Sequence, residues 1–149
     1  HRALELLSRQ PPYTLTQTRQ TLCHEMLLAT EDALITAALN EAQALINDPA
    51  FKDIFFPAPT IRALNECSLS YKSAKGQVIG TIDRLLISDS EILIVDYKTH
   101  RVSEQEMDAL AEEYRPQMRH YADGARLAWP GRGVKTVLVF TNCRKMVVV

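Results

Sequence analysis

The spacing of apolar residues divides the chain into a helical first part and a second part rich in strands. Up to about residue 46 apolar side chains recur at intervals of three and four, which predicts helices, and Glu31-Asp32 after Thr30 indicates a new helix start. After Pro59 the pattern changes to apolar and β-branched runs bounded by turn residues, which predicts strands. The predicted elements are one helix over 1–9, two helices within 16–46, strands over 63–72, 77–87 and 91–99, a polar segment of loop and short helix over 102–113, a helix over 114–129, and strands over 134–141 and 146–149.

The predicted order is helices, three strands in an antiparallel meander, a helix and further strands. At 149 residues, with 46% hydrophobic and 23% charged residues, the chain is expected to form one domain over 1–149. A helical pattern is already running at His1, so we expect a piece of a longer polypeptide. A net charge of −1 argues against a stand-alone electrostatic DNA-binding protein. No apolar run has the length of a membrane span and no leader is evident, so we expect a cytoplasmic protein with no membrane partner.

The candidate chemistry lies on the second and third predicted strands. The apolar run 92–95 is followed by Asp96 and Lys98, which share one face of a strand because side chains alternate with a period of two. If the turn between these strands is centred between Asp89 and Ser90, facing residues have numbers that add up to 179. Asp83 then faces Asp96.

Two facing carboxylates repel each other unless a cation lies between them. Mg²⁺ prefers oxygen ligands and retained waters, so Asp83, Asp96 and a strand-end carbonyl such as that of Tyr97 predict a magnesium site, with Mn²⁺ as a substitute. Such a site suits hydrolysis of a phosphodiester, in which a metal neutralises charge on the phosphate. Lys98 could then orient the attacking water or stabilise the charge that develops on the phosphate. The alternative is a solvent-facing ion pair between Asp96 and Lys98. Glu66 comes opposite Asp83 if a further turn is centred in 73–76, and a structural role for Glu66 is the favoured alternative.

Four segments resemble one nuclease family. Gly80-Thr81-Ile82-Asp83-Arg84-Leu85, followed by Asp96-Tyr97-Lys98-Thr99, resembles the PD-(D/E)xK signature in its RecB-like form. Gln117-Met118-Arg119-His120-Tyr121 is similar to the QxxxY motif of that family, and His1-Arg2-Ala3-Leu4-Glu5 is similar to its HxxLE helix start. The order of the segments also resembles the C-terminal nuclease domain of AddA-type helicase–nuclease subunits.

The resemblance implies an α/β fold with a restriction-endonuclease-like αβββαβ core, in which helices flank a mixed central sheet, and extra N-terminal helices. It also implies a role for each matching residue. His1, Asp83 and Asp96 would hold the metal, and Asp83, Asp96 and Lys98 would serve catalysis. Gln117 and Tyr121 are one helical turn apart on one face and would lie beside the active site near the DNA. The alternative for Gln117 and Tyr121 is a helix edge that packs on the sheet.

The implied function is a metal-dependent DNA exonuclease domain within an ATP-dependent helicase–nuclease for double-strand break repair and recombination. Its partners would be single strands from unwound duplex ends, the helicase portion of the same chain and a second helicase–nuclease subunit, in the bacterial cytoplasm. One alternative is a catalytically silent domain that acts as a platform for DNA or for another subunit. Another is a CRISPR-associated exonuclease, a class that usually carries cysteines for an iron–sulfur cluster. The three cysteines of this chain are scattered and include no CxxC pair, so no cluster is expected.

Overall fold

The computed structural model describes residues 1–74 and 76–149, leaving out the side chain at position 104. Lys75, in the predicted turn at 73–76, lies outside the described residues. Contacts within the chain define two compact units, residues 1–57 and residues 58–149. The single domain over 1–149 stays a prediction.

The first unit is helical, and its two longest helices begin where side chains accept hydrogen bonds from the first backbone N–H groups. Thr14 and Gln17 form a reciprocal capping box, and Asp32 accepts a hydrogen bond from the Leu34 N–H at 2.8 Å. The helix start predicted at Glu31-Asp32 is therefore confirmed at Asp32. The helices are α1 (Arg2–Ser8), α2 (Leu15–Met26), α3 (Ala33–Ile46) and α4 (Lys52–Phe55), with a 3₁₀ turn over Pro49–Phe51.

The second unit contains a five-stranded sheet in which the strands follow one another in chain order. Neighbouring strands are antiparallel except for the third and fourth, which are parallel, so the predicted mixed sheet and α/β class are confirmed. The parallel pair is joined by a helix, as a parallel connection requires. The elements are β1 (Arg62–Ser73), β2 (Gly76–Ile87), β3 (Glu91–Lys98), α5 (Glu104–Ala128), β4 (Gly133–Phe140) and β5 (Lys145–Val148).

The polar segment ahead of the last predicted helix is part of that helix, so the prediction of a loop and short helix there is wrong. Ser103 and Glu106 form a capping box that starts α5 at Glu104. Met107 and Ala111 then continue the apolar stripe that packs on the sheet. The start signal and the stripe together outweigh the polar composition of the segment.

Helix α5 and one face of the sheet enclose the core of the second unit. β3 is the central strand of the sheet, and its residues on both faces are buried: Ile92, Ile94 and Val95 are each 0% exposed. The buried residues of this core are Ile82, Leu85, Ile87, Ile92, Ile94, Ala111, Met118, Tyr121, Ala125, Leu138 and Phe140.

Side-chain alternation breaks at the same level in β1 and β2. Ile82 and Leu85 of β2 both belong to the core under α5, although they are three positions apart. Leu64 and Cys67 of β1, also three positions apart, both pack against that core. At the break in β1, Glu66 has a φ of +49°, a left-handed conformation that a residue other than glycine rarely adopts. Both strands therefore change face beside the predicted site.

Among the described residues, no helix has the length and apolar character needed to cross a membrane.

We expect Gly124→Val to destabilise the second unit. A Cβ atom at Gly124 would lie 2.5 Å from Cδ1 of Leu69, so either the Leu69 side chain or α5 itself would have to shift. The free energy of unfolding, measured in urea, should fall by about 1–3 kcal/mol. Ala128→Val, at an exposed position of the same helix, should cost only about 0.5 kcal/mol through helix propensity. Equal losses in the two variants would contradict close packing at Gly124.

Candidate active site

A buried ion pair lies at the end of β3. Nζ of Lys98 is 2.6 Å from Oδ2 of Asp96, and the two side chains are only 9% and 6% exposed. The pair confirms that both residues share one face of the strand, and the alternative of a solvent-facing ion pair is wrong. The carbonyl of Lys98 accepts a hydrogen bond from the Thr141 N–H at 3.0 Å, which fixes the strand end against the residue after β4.

Asp83 reaches the same strand end from β2. The paired residues of β2 and β3 have numbers that add up to 179, as predicted, and the ladder ends at Arg84–Val95. Beyond that pair, Oδ2 of Asp83 accepts a hydrogen bond from the Tyr97 N–H at 2.7 Å. The N–H and C=O of one strand residue point to the same side. The Tyr97 carbonyl therefore also points towards Asp83.

Gln117 and Tyr121 interact with each other on one face of α5. Nε2 of Gln117 donates a hydrogen bond to the Tyr121 hydroxyl at 2.8 Å. Burial raises the pKa of Tyr121, and the charges of Asp96 and Asp83 raise it further, against the hydrogen bonds from Gln117 and the Thr81 backbone. The hydroxyl of Tyr121 therefore lies within electrostatic range of both aspartates.

This constellation of carboxylates and lysine agrees with a comparison against known protein families. The PD-(D/E)XK nuclease superfamily matches residues 1–147. The chain belongs to this superfamily. Its mixed five-stranded sheet with a helix packed on one face is the restriction-endonuclease-like fold that the sequence motifs implied.

The nuclease is also similar to an ATP-dependent helicase/nuclease subunit of Clostridioides difficile (strain 630). The two are 28% identical over 85 residues, which cover 57% of this chain and 6% of the relative. The chain thus spans a small part of the curated relative that it matches.

Gly80 of the nuclease motif has a steric role. A Cβ atom at Gly80 would lie 2.8 Å from Cε1 and 3.4 Å from the hydroxyl oxygen of Tyr121. A glycine is therefore needed for the Tyr121 ring to lie against β2.

Tyr114 is a site residue that the sequence analysis did not identify. Nζ of Lys98 lies 3.3 Å from the centre of the Tyr114 ring, in a cation–π contact. The sequence analysis placed Tyr114 only in the apolar stripe of the helix. Its spacing of three and seven residues from Gln117 and Tyr121 was the available signal, because that spacing puts all three on one helix face.

A buried arginine lies on β2 immediately after Asp83. Arg84 is 1% exposed and donates a hydrogen bond to Oδ1 of Asn65 at 2.6 Å. Burial lowers the pKa of Arg84. Burial raises the pKa of Tyr97, and the positive charge of Arg84 partly opposes that rise. The sequence analysis used Arg84 only as a motif position, and periodicity carried no signal for its burial.

Glu66 lies opposite Asp83, as the second predicted register required. Residue numbers paired between β1 and β2 add up to 149 on both sides of this level. The Glu66 side chain is exposed, and its charge and that of Asp83 contribute to the raised pKa of Tyr97, after burial. Glu66 thus belongs to the surroundings of the site.

The donor set suits a hard cation. Asp83, Asp96 and the Tyr97 carbonyl offer oxygen ligands, and Mg²⁺ is commonly held by one or two carboxylates with waters. Across residues 1–74 and 76–149, apart from the side chain at 104, no group of three His, Cys, Asp or Glu side chains suited to a metal is found. His1 precedes α1 in the first unit, where its carbonyl accepts the Glu5 N–H, and its role as a metal ligand stays a prediction.

We expect Gly80→Ala to displace Tyr121. The added methyl group overlaps the ring, so the free energy of unfolding should fall by about 1–3 kcal/mol and the NMR shifts of the Tyr121 ring should change. Gly133→Ala is the matched control, because the nearest atom to its Cβ would be the Ser90 carbonyl oxygen at an ordinary 3.7 Å. An unchanged Tyr121 spectrum in Gly80→Ala would refute the contact.

Proposed function

We propose that this chain is a metal-dependent DNA exonuclease domain. The observation that carries the proposal is the buried Asp96–Lys98 pair beside Asp83, in a chain that belongs to a nuclease superfamily. Placing a carboxylate and an ammonium out of water is costly, so an arrangement of this kind is typical of a functional site.

The proposed cofactor is Mg²⁺, with Mn²⁺ as a substitute and no iron–sulfur cluster. Asp83, Asp96 and the Tyr97 carbonyl would hold it, and His1 would join them according to the family motif. A bound divalent cation would neutralise charge on the scissile phosphate and activate a water molecule for hydrolysis.

The protein groups divide the remaining work. The Lys98 ammonium supplies a fixed positive charge where negative charge develops on the phosphate during hydrolysis. The Tyr97 N–H fixes the orientation of the Asp83 carboxylate through the 2.7 Å hydrogen bond. Gln117 and Tyr121, already hydrogen-bonded to each other, present polar groups beside the carboxylates for contact with the DNA strand.

The wider role is proposed from the similarity to the helicase/nuclease subunit. In this role the domain would cut single strands that the helicase portion of the same chain releases from duplex ends. A second helicase–nuclease subunit would complete the assembly, which would act in double-strand break repair and recombination in the bacterial cytoplasm.

The alternative function is a silent nuclease-fold domain that binds DNA or another subunit without cutting. Its supporting observation is that Lys98 already neutralises Asp96, as a purely structural ion pair would. The two functions differ in metal binding and in cleavage, so one experiment separates them.

We expect Asp96→Ala to abolish both Mn²⁺ binding, measured by calorimetry, and cleavage of a labelled single strand. Asp108→Ala is the control, because it removes an exposed carboxylate from α5 outside the site.

A linear single strand should be degraded in wild type and a circular one of the same sequence should persist, since an exonuclease needs an end. DNA binding without metal binding or cleavage in wild type would instead establish the platform function.

We expect Lys98→Met to lower the free energy of unfolding by about 3–5 kcal/mol without metal, because it leaves the buried Asp96 carboxylate without its cation. Mn²⁺ should then raise the melting temperature of this variant more than that of wild type, while cleavage should fall by about 10²-fold or more.

Lys135→Met is the matched control for this experiment. The pair between Lys135 and Glu91 has a similar separation, 2.7 Å, but its side chains are 63% and 42% exposed, so its loss should cost under about 1 kcal/mol. An equal response to Mn²⁺ in wild type and Lys98→Met would contradict a metal at Asp96.

A further inference from the structure

The Lys98 ammonium is held between two unlike partners. Oδ2 of Asp96 lies 2.6 Å from Nζ on the same strand, and the ring centre of Tyr114 lies 3.3 Å from it on α5. A separation of 3.3 Å places the ammonium directly against the face of the ring, where the negative part of the ring quadrupole attracts a cation. With the Lys98 side chain 9% exposed, water screens this attraction little.

The two partners respond differently to a divalent cation. Asp96 is a proposed metal ligand, so its negative charge would be shared with the metal, and its attraction for Lys98 would weaken. The ring of Tyr114 is neutral and is not a ligand for a hard cation. Its hold on the ammonium would therefore persist when the charge of Asp96 is shared.

A lysine side chain is long and flexible, and holding its ammonium at one point costs conformational entropy. A rigid ring on a helix supplies a fixed surface for it. Tyr114 is set on the same face of α5 as Gln117 and Tyr121, whose hydroxyl lies near Asp96 and Asp83. One helix face thus contacts both the ammonium and the surroundings of the carboxylates.

We propose that Tyr114 is a positioning residue of the active site, whose ring face holds the Lys98 ammonium in place for the reaction. The proposal rests on the proposed nuclease function of Lys98. The ring carries this role, and the hydroxyl does not. Phenylalanine should therefore substitute for Tyr114, and an aliphatic residue of similar size should not.

The test compares Tyr114→Phe with Tyr114→Leu in the chain with ¹³C-labelled lysine. The ring current of an aromatic residue shifts protons above its face upfield. The ε-methylene signal of Lys98 therefore reports the contact without any need for activity, and it is assigned by its loss in Lys98→Met. It should stay upfield in wild type and in Tyr114→Phe and return to the ordinary lysine position in Tyr114→Leu. Tyr13→Leu is the control, because it removes another cation–π contact, in which Cζ of Arg9 lies 4.9 Å from the ring centre.

Cleavage of a single strand in Mn²⁺ is measured on the same proteins. Tyr114→Leu should lower kcat roughly tenfold with little change in KM, whereas Tyr114→Phe and Tyr13→Leu should match wild type. An unshifted Lys98 signal in wild type, or an equal kcat in Tyr114→Leu and Tyr114→Phe, would overturn the proposal. Absence of cleavage in every protein, wild type included, would instead refute the proposed function. If the Lys98 signal still depended on the ring in that case, Tyr114 would have a structural role alone, and its role in catalytic positioning would be overturned.

Discussion

The candidate site depends on the removal of one ion pair from water. Asp96 and Lys98 lie at the end of a strand whose residues on both faces are buried, and each loses its hydration there. Such a pair recovers its desolvation cost only with good geometry and additional partners. Helix α5 supplies them: the Tyr114 ring contacts the Lys98 ammonium, and the hydroxyl of Tyr121 lies near the Asp96 charge.

The break in alternation explains how Asp83 enters this arrangement. In a regular hairpin, Asp83 would pair with Asp96 beyond the Arg84–Val95 pair, and its side chain would lie on the opposite face of β2 from that of Arg84. Because the alternation of side chains breaks at this level in both β1 and β2, Asp83 does not follow the regular pattern. Its carboxylate instead accepts a hydrogen bond from the Tyr97 N–H. The left-handed backbone of Glu66, on the facing strand, lies at the same break, and local backbone strain of this kind is often found at functional sites.

The sequence predicted the parts of this structure that follow from local rules. The two registers followed from turn positions and period two, and the Asp32 cap followed from residue chemistry. The contact between Lys98 and Tyr114 could not be predicted, because it joins a strand to a helix and depends on how the helix lies on the sheet. The burial of Arg84 had no sequence signal for the same reason: a charged residue in a strand is normally read as exposed, and only packing across elements overrides that expectation.

The connection between β3 and β4 links the site to the fold. Parallel pairing of these strands requires a crossover, and the crossover is α5, whose 25 residues extend over about 37 Å. The eight residues of β3 extend over only about 26 Å, so the helix is longer than the strand on which it packs. Ala125 and Met118 cover the apolar part of the sheet, while Tyr114, nearer the start of the helix, contacts Lys98 at the strand end. The same helix that makes the parallel pairing possible thus supplies the ring against which the lysine rests, so the topology itself builds one wall of the site.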